Sequence, residues 1–417
     1  RQIQKRICLF YLLKFATQNF IMNNKLHIES VCVQADKYPN HSHILPIYPT
    51  STYTFDTAEE GAAILQGKEK GYIYSRFENP TSDPVCEKIA ALESFGLNIK
   101  LQAFLTASGM GAISTVLMAC VKQGEKVLTH YSLYGGTEEW MMRLMPNMGV
   151  QSIVINFDDL NNVETVLKND KTISLIYIET PANPTLQCVD IKAICDIAKK
   201  YSVRVCCDNT FATPILQQPF AHGVDFVIHS VTKYLNGHGT TIGGVVLGND
   251  LEFMNTVYKK TYRLLGANSN PFDSWLVMNG LKTLPLRMER HCSNAMKVAE
   301  YLQTNNAIAK VDYLGITNHP YHQLAKKQMK DFGGMICFEL KNGLSGGQKF
   351  INNLNLCVKA VSLGTVDTLV SHPASMTHTN VPKADRLKYG ITDGLIRMSV
   401  GLEHVDDIIA DIENALK

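Results

Sequence analysis

The chain lacks both a long apolar run and an excess of one charge. No stretch approaches the run of about 18 apolar residues that a membrane-spanning helix needs. The 417 residues include 40 Lys and Arg against 38 Asp and Glu, so the formal net charge is only +2. A balance this close to zero gives no electrostatic reason to expect a polyanionic partner. We therefore expect neither a membrane span nor a nucleic-acid-binding surface.

Paired cysteine motifs are also missing. The 11 cysteines are scattered and odd in number, and they form no CxxC pair. The 13 histidines do not stand at metal-ligand spacing with them. This pattern favours neither a disulfide framework nor a metal site. We expect the cysteines to be small apolar core residues of a cytoplasmic protein.

The usual nucleotide-binding signatures are absent as well. The sequence contains no GxxxxGK[ST] segment. Its glycine-rich stretch GHGTTIGG (237–244) lacks the order of GxGxxG and does not open a helix after a first strand. Neither a phosphate-binding loop of the ATPase type nor a dinucleotide site is therefore favoured.

The pattern of apolar runs predicts an α/β protein with two domains. Seven short runs read as buried strands of a mostly parallel sheet: FLTA (104–107), KVLTH (126–130), SIVINF (152–157), ISLIYIE (173–179), VRVCCD (203–208), DFVIHS (225–230) and IGGVVLG (242–248). Between two of them, DIKAICDIAKKY places Ile191, Ile194, Cys195 and Ala198 on one helix face. Ligands of such sheets bind at the carboxyl ends of the strands.

The chain divides into four predicted segments. Residues 1–21 are basic and acid-free and precede Met22, a candidate start; they read as a non-core extension, whether transit peptide, translated upstream region or disordered arm. Residues 22–80 form an N-terminal arm and residues 81–284 a large domain. Residues 285–417 form a smaller α/β domain with a long helix, strands MICFEL, CVKAV and LIRMSV, and a final helix HVDDIIADIENAL.

One lysine stands out in HSVTKYLNGHG (229–239). Lys233 follows a buried apolar strand, and Ser230 and Thr232 precede it. Desolvation lowers the pKa of an amine, so a lysine here can act as a nucleophile. The alternative is a solvated loop lysine, and the surrounding residues must decide between the two.

Other chemically suggestive residues follow neighbouring strands. Asp208 ends VRVCCD, Tyr134 lies in LYGGT, Asn183 lies in TPANPT, and Gly109 opens a helix in TASGMGAIS. Each residue could instead have a purely structural role, such as an ion pair for Asp208 or core packing for Tyr134. Together they offer an anion site, an aromatic face, an amide, a carboxylate and an amine. That combination predicts pyridoxal phosphate (PLP), with Lys233 in a Schiff base and Asp208 on the ring nitrogen.

From about Leu45 to its C-terminus the chain resembles the Cys/Met-metabolism family of PLP enzymes. Besides the segments above, YSRFENPT (74–81) is similar to the family's YSR..NPT, and AVSLGTVDTLVSHPASMTH and LIRMSVGLEH are similar to its substrate-binding segments. The resemblance implies fold type I of the PLP-dependent transferases. It also implies a homotetramer built from dimers whose active sites use both chains.

The resemblance assigns roles to individual residues. Phosphate binding falls to Gly109, Met110, Ser230 and Thr232, and to Tyr74 and Arg76 of a neighbouring subunit. Tyr134 would stack on the ring and act as an acid, and Asn183 would meet the cofactor's phenolic oxygen or the substrate. Ser362 and Arg397 are nominated for the substrate. Arg397 also has an independent reason, because a guanidinium binds a carboxylate through two parallel hydrogen bonds.

Two positions bear on the substrate and disagree. Val361 stands before SLG, where cystathionine γ-lyases and many γ-synthases carry glutamate and methionine γ-lyases carry valine. Gly136 in YGGT is typical of cystathionine enzymes, and methionine γ-lyases usually have cysteine there. We predict α,γ-elimination of methionine or homocysteine to 2-oxobutanoate, ammonia and a thiol. Cystathionine γ-lyase or γ-synthase activity and a non-catalytic PLP-binding protein are the alternatives.

Overall fold

The computed structural model describes residues 26–34, 38–377, 379–380, 382–388 and 390–417. The predicted extension at residues 1–21 and the candidate start at Met22 lie outside the described residues. Within the described part of the chain, no helix combines the length and apolar character that crossing a membrane requires.

A seven-stranded sheet forms the centre of the larger part of the chain. Its strands stand in the order β1-β7-β6-β5-β4-β2-β3. They are β1 Gln102–Thr106, β2 Lys126–His130, β3 Gln151–Ile155, β4 Ile173–Glu179, β5 Arg204–Asp208, β6 Phe226–His229 and β7 Gly244–Gly248. Strands β2 to β6 are parallel, and β7 runs antiparallel to its neighbours β1 and β6. The predicted, mostly parallel sheet is confirmed.

Helices cover both faces of this sheet. In β4, Ile176 and Ile178 belong to one apolar cluster and Leu175 and Tyr177 to another, because successive side chains of a strand point to opposite faces. The helices of this part are α1 Ile28–Val33, α2 Ala58–Leu65, α3 Ser82–Glu93, α4 Gly109–Cys120, α5 Gly135–Glu139, α6 Leu160–Asn169, α7 Ile191–Lys200, α8 Thr213–Leu216, α9 Leu251–Val257, α10 Arg263–Leu265 and α11 Pro271–Leu281. The predicted apolar face of α7 is buried.

A second, smaller sheet follows in the order β10-β11-β12-β9-β8. Its strands are β8 Ile308–Asp312, β9 Met335–Leu340, β10 Val358–Lys359, β11 Leu369–Ser371 and β12 Leu395–Ser399, and it is antiparallel except for the β10–β11 pair. The helices are α12 Leu284–Thr304, α13 His322–Gln328, α14 Gly343–Asn353, α15 Lys383–Lys388 and α16 Val405–Leu416.

The long helix α12 joins the two parts. Its first half contributes Leu284 and Met288 to the core of the large sheet, and its second half contributes Val298 and Leu302 to the core of the small one. The predicted boundary between residues 284 and 285 falls at the start of this helix. Because α12 packs into both cores, the domain limits stay a prediction.

Candidate active site

The amine of Lys233 lies in the loop that follows β6. Its Nζ donates a hydrogen bond to the Ser362 hydroxyl at 2.8 Å. Burial and, to a smaller extent, the nearby Arg397 guanidinium lower the pKa of Lys233 to about 8. The side chain of Lys233 is partly buried, so it is not the fully solvated loop lysine that the sequence left as an alternative. An amine with this pKa is partly neutral near neutral pH.

Asp208 ends β5 as a buried carboxylate that is held by neutral donors. Thr210 donates to its Oδ1 from both the backbone N–H, at 3.0 Å, and the hydroxyl, at 2.5 Å. The Tyr177 hydroxyl donates to Oδ2 at 3.4 Å. Burial raises the pKa of Asp208, and the hydrogen bonds from Thr210 oppose that rise. A cationic N–H placed against this carboxylate would satisfy it.

Thr210 connects Asp208 to the loop that carries the lysine. Its hydroxyl oxygen accepts a hydrogen bond from the Ser230 backbone N–H at 2.9 Å while the hydroxyl donates to Asp208. The sequence did not single out Thr210, because its role depends on a contact between two loops. Its position two residues after the carboxylate was the available signal.

The start of α4 and the Ser230 loop form a close-fitting cradle. A Cβ placed on Gly109 would lie 2.9 Å from the Ser230 Cβ. The Ser108 side chain accepts a hydrogen bond from the Gly111 N–H and so caps the helix. The first N–H groups of a helix have no partners within it, and the helix dipole favours an anion there. The cradle therefore suits a phosphate.

Two other residues predicted to bind the phosphate, Met110 and Thr232, differ in their surroundings. Met110 lies next to Gly109 in the first turn of α4, and its Sδ would be 3.1 Å from a Cβ on Gly136. The Thr232 hydroxyl is engaged with Gly243, since it accepts from the N–H at 3.0 Å and donates to the carbonyl oxygen at 3.2 Å. A phosphate contact from Thr232 remains a prediction.

A buried glutamate holds the loops of Tyr134 and Asn183. Glu179, the last residue of β4, accepts from the Tyr134 N–H through Oε2 at 2.8 Å and from the Asn183 N–H through Oε1 at 2.9 Å. The Tyr134 side chain is 47 % exposed, which leaves its ring accessible to a ligand. Glu179 was missed in the sequence, although a charged residue at the end of an apolar strand had identified Asp208.

Arg397 on β12 faces the same loops from the small sheet. Its Nη1 donates to the Asn183 side-chain oxygen at 3.1 Å, and Nη2 donates to the carbonyl oxygens of Val361 at 2.8 Å and Ser362 at 3.0 Å. Arg397 is 9 % exposed and burial lowers its pKa. No carboxylate side chain pairs with it among the described residues, so a ligand's carboxylate can take that place. The Val361 side chain beside it is 57 % exposed.

Tyr74 and Arg76 are not brought to Lys233 within one chain. Arg76 donates to the Arg263 carbonyl oxygen, and its guanidinium lies 4.8 Å from the centre of the Phe77 ring. Tyr74 is 41 % exposed. Among the hydrogen bonds of the described residues, none joins either side chain to Gly109, Ser230 or Lys233. Their service to a neighbouring subunit stays a prediction.

These residues match the requirements of PLP. The cradle at Gly109 suits its phosphate, the buried carboxylate of Asp208 lacks a cationic partner among the described ion pairs, and Lys233 offers an amine with a lowered pKa. The fold and the site thus define an α/β enzyme that uses PLP.

Comparison with known proteins identifies the family. Residues 29–417 match the family model of Cys/Met metabolism PLP-dependent enzymes, and the chain belongs to that family. It is 46 % identical over 374 residues to an L-methionine gamma-lyase of Fusobacterium nucleatum subsp. polymorphum, across 89 % of this chain and 93 % of that protein. It is 41 % identical over 403 residues to a cystathionine beta-lyase of Coxiella burnetii, across 94 % of this chain and 99 % of that protein.

Solved structures agree with the fold. A cystathionine gamma-lyase of Lactobacillus plantarum complexed with L-serine superposes with a TM-score of 0.85 at 35 % identity, covering 94 % of this chain and 98 % of that one. A Campylobacter jejuni structure that holds N'-pyridoxyl-lysine-5'-monophosphate has a TM-score of 0.88 at 33 % identity, covering 94 % and 100 %. The predicted family, fold class and PLP dependence are confirmed.

Proposed function

We propose that this protein is a PLP-dependent carbon–sulfur lyase that converts methionine or homocysteine to 2-oxobutanoate, ammonia and a thiol by α,γ-elimination. One observation carries the proposal. Ser362 joins the two reactive groups, because its hydroxyl accepts from Lys233 Nζ at 2.8 Å and its carbonyl oxygen accepts from Arg397 Nη2 at 3.0 Å. An amino acid whose carboxylate binds Arg397 therefore brings its α-carbon to the amine.

Three residues of the chain then bind the substrate and transfer protons. Arg397 binds the α-carboxylate and fixes the orientation of the substrate. The neutral amine of Lys233 takes the α-proton and moves protons over the short distances of the site. The Tyr134 hydroxyl gives a proton to the departing thiolate. PLP paired with Asp208 would supply the electron sink that makes these proton transfers possible, with Lys233 freed from it by the substrate amine.

The distal end of the substrate would meet Val361, next to Ser362. An apolar side chain here accepts a thioether methyl or a thiol, whereas a zwitterionic tail loses water without gaining a partner. This supports methionine or homocysteine as substrate, and the methionine lyases among the relatives agree with it.

Cystathionine is the second candidate substrate, and one observation favours it. A Cβ on Gly136 would lie 2.7 Å from Cε1 of Tyr134, so the glycine allows the Tyr134 ring to pack closely against this loop. The glycine in YGGT is typical of cystathionine enzymes, and a cystathionine beta-lyase is among the relatives. Pyruvate as the product would identify β-elimination, because a γ-elimination leaves 2-oxobutanoate.

The assembly proposed with this function is a homotetramer of two dimers. Large apolar side chains that lie exposed in the single chain support further contacts, with Ile242 at 65 %, Leu264 at 77 % and Leu286 at 68 % exposure. A cytoplasmic location is proposed from the cysteine usage of the sequence alone.

Substitution of Val361 tests the choice of substrate. We expect kcat/KM to favour methionine or homocysteine over cystathionine by about tenfold or more, since an unpaired charge costs about 1–3 kcal/mol. Val361→Glu should shift the ratio toward cystathionine, while Val361→Gln, of nearly equal size but uncharged, should shift it much less. Steady-state rates, with the thiol and oxoacid products measured separately, give this ratio of kcat/KM values. Preference of the unmodified enzyme for cystathionine would refute the assignment.

A further inference from the structure

Glu179 connects two loops that form opposite parts of the active site. The Tyr134 loop follows β2 and the Asn183 loop follows β4, and each donates one backbone N–H to a different oxygen of the same carboxylate. Glu179 is only 5 % exposed. Because both oxygens are occupied, a change in this side chain moves at least one of the two loops.

The connection extends to the group that binds the substrate carboxylate. The side-chain oxygen of Asn183 accepts from Arg397 Nη1 at 3.1 Å. Glu179 therefore fixes the backbone of the residue that orients the guanidinium. The same carboxylate fixes the backbone of Tyr134, whose ring and hydroxyl face the ligand in the proposed function.

A carboxylate at this position is costly to the fold. Burying a charge without a cation destabilises a protein unless hydrogen bonds satisfy it. No Lys or Arg forms an ion pair with Glu179 among the described residues. Asp208 stands directly beside it in the β4–β5 register, and burial together with this neighbouring carboxylate raises the pKa of Glu179 to about 8.

His130, which contacts the backbone of Glu179, carries no positive charge that could balance a negative charge on this side chain. His130 Nε2 accepts a hydrogen bond from the Glu179 N–H at 3.0 Å, which requires a ring that is unprotonated at this nitrogen. Burial lowers the pKa of His130 to about 4, so the ring is neutral near neutral pH. The two backbone N–H donors are thus the partners that hold the carboxylate.

We infer that Glu179 is a positioning residue for the reaction: one buried carboxylate sets the spacing between the Tyr134 loop and the pair formed by Asn183 and Arg397. This inference rests on the proposed function, since it takes Arg397 as the carboxylate-binding group and Tyr134 as a ligand-facing group. Glu179 itself touches neither substrate nor cofactor.

Glu179→Gln is the sharpest test, because glutamine has the same shape but a single accepting oxygen. Its amide NH2 would face one of the two N–H donors and release that loop. We expect kcat/KM for methionine to fall by on the order of tenfold to a hundredfold, with KM raised and kcat lowered. Glu179→Asp, which keeps both accepting oxygens but is one methylene shorter, should recover part of the loss. Glu164→Gln, the same change on the surface helix α6, is the control and should behave as the unmodified enzyme.

A second readout does not depend on turnover. Binding of PLP to the apoprotein, followed by fluorescence quenching and by the absorption spectrum of the bound cofactor, should weaken and change in Glu179→Gln but not in Glu164→Gln. If the unmodified protein releases no thiol from any sulfur amino acid, the proposed function fails, and PLP binding still decides the role of Glu179.

Three results would contradict the inference. One is a Glu179→Gln protein with KM, kcat and PLP spectrum within about twofold of the unmodified values, well below the loss expected for a buried hydrogen bond. Another is a lower unfolding temperature with unchanged kinetic constants, which is the signature of a structural role alone. If Glu179→Gln does not fold, Glu179→Asp carries the test, and unchanged KM and PLP affinity in it would be the third.

Discussion

At the scale of single residues, an uncharged side chain contacts each ionisable group of the site: Ser362 contacts Lys233, Thr210 contacts Asp208 and Asn183 contacts Arg397. Asp208 ends an apolar strand, Arg397 lies within one and Lys233 follows one in a loop, and that contrast is visible in the sequence. Glu179 has the same contrast but acts on the backbone N–H groups of two other loops. Thr210 is an ordinary threonine until folding places it between Asp208 and Ser230. Such contacts arise from the fold, and their one local signal is that Thr210 stands two residues after Asp208.

The lowered pKa of Lys233 leads to a prediction about pH. The neutral amine is the nucleophile, so the rate at which the apoprotein captures PLP should rise with pH through about 8 and level off above that value. Arg397→Met removes the neighbouring positive charge, which raises the pKa and should move the midpoint to higher pH. Stopped-flow absorbance across the pH range gives both midpoints.

Two controls accompany the pH experiment. Borohydride reduction followed by peptide mapping should place the label on Lys233, and the Lys233→Ala protein should take up none. A rate that does not change with pH, or a midpoint at the ordinary value for lysine, would mean that burial does not tune this amine.

At the scale of secondary-structure elements, prediction succeeded where strands are buried on both sides. The runs at residues 126–130, 173–179 and 335–340 coincide with β2, β4 and β9. A short, mostly apolar run is typical of a strand that is covered on both faces of its sheet. Strands β8 and β11 were not predicted. Strand β8 is largely exposed along its middle and β11 has only 3 residues, so neither shows an apolar run. CVKAV was predicted as a strand but contributes only the two exposed residues of β10.

The start of helix α4 provides the prediction at this scale. Gly109→Ala adds a Cβ that would lie 2.9 Å from the Ser230 Cβ, closer than van der Waals contact. The two elements must separate, and the anion cradle widens. We expect the affinity for PLP and for free phosphate to fall by about tenfold or more, as the loss of one well-placed interaction of about 1.4 kcal/mol would produce. Titration of the apoprotein measures both affinities.

The matched control for Gly109 is another glycine at a helix start. A Cβ on Gly135, the first residue of α5, has nothing within 4 Å. Gly135→Ala should therefore keep the PLP affinity of the unmodified protein. Equal affinities for Gly109→Ala and the unmodified protein would show that the close approach of α4 to Ser230 does not form the phosphate site.

At the scale of the whole molecule, the site requires both sheets. The amine of Lys233 follows β6 of the large sheet, whereas Arg397 lies on β12 of the smaller sheet and Ser362 in the loop between β10 and β11. Helix α12 holds the two parts together through its two buried halves. The sequence alone indicated the two parts, but their meeting at Ser362 depends on packing across the whole chain.

The N-terminal arm does not bring its predicted phosphate ligands to Lys233 of its own chain. Tyr74 and Arg76 were assigned by resemblance to the phosphate site of a neighbouring subunit. In the chain itself, Arg76 packs against Phe77 and the carbonyl oxygen of Arg263 instead of reaching the Ser230 loop. An arm that leaves its own site incomplete favours a function in the partner.

Mixing two inactive proteins tests this arrangement. Lys233→Ala and Arg76→Ala homodimers each lack one necessary group in both sites. In a hybrid dimer with Arg76 acting across the interface, one site loses both groups and the other keeps both. Random pairing makes half of the dimers hybrids, so the mixture should regain about a quarter of the unmodified rate and isolated hybrid dimers about half. Differently tagged chains, purified through both tags after unfolding and refolding together, establish that hybrids have formed. Refolded single variants supply the baseline. Hybrids without activity would show that Arg76 serves the site of its own chain, because each site would then still lack one group.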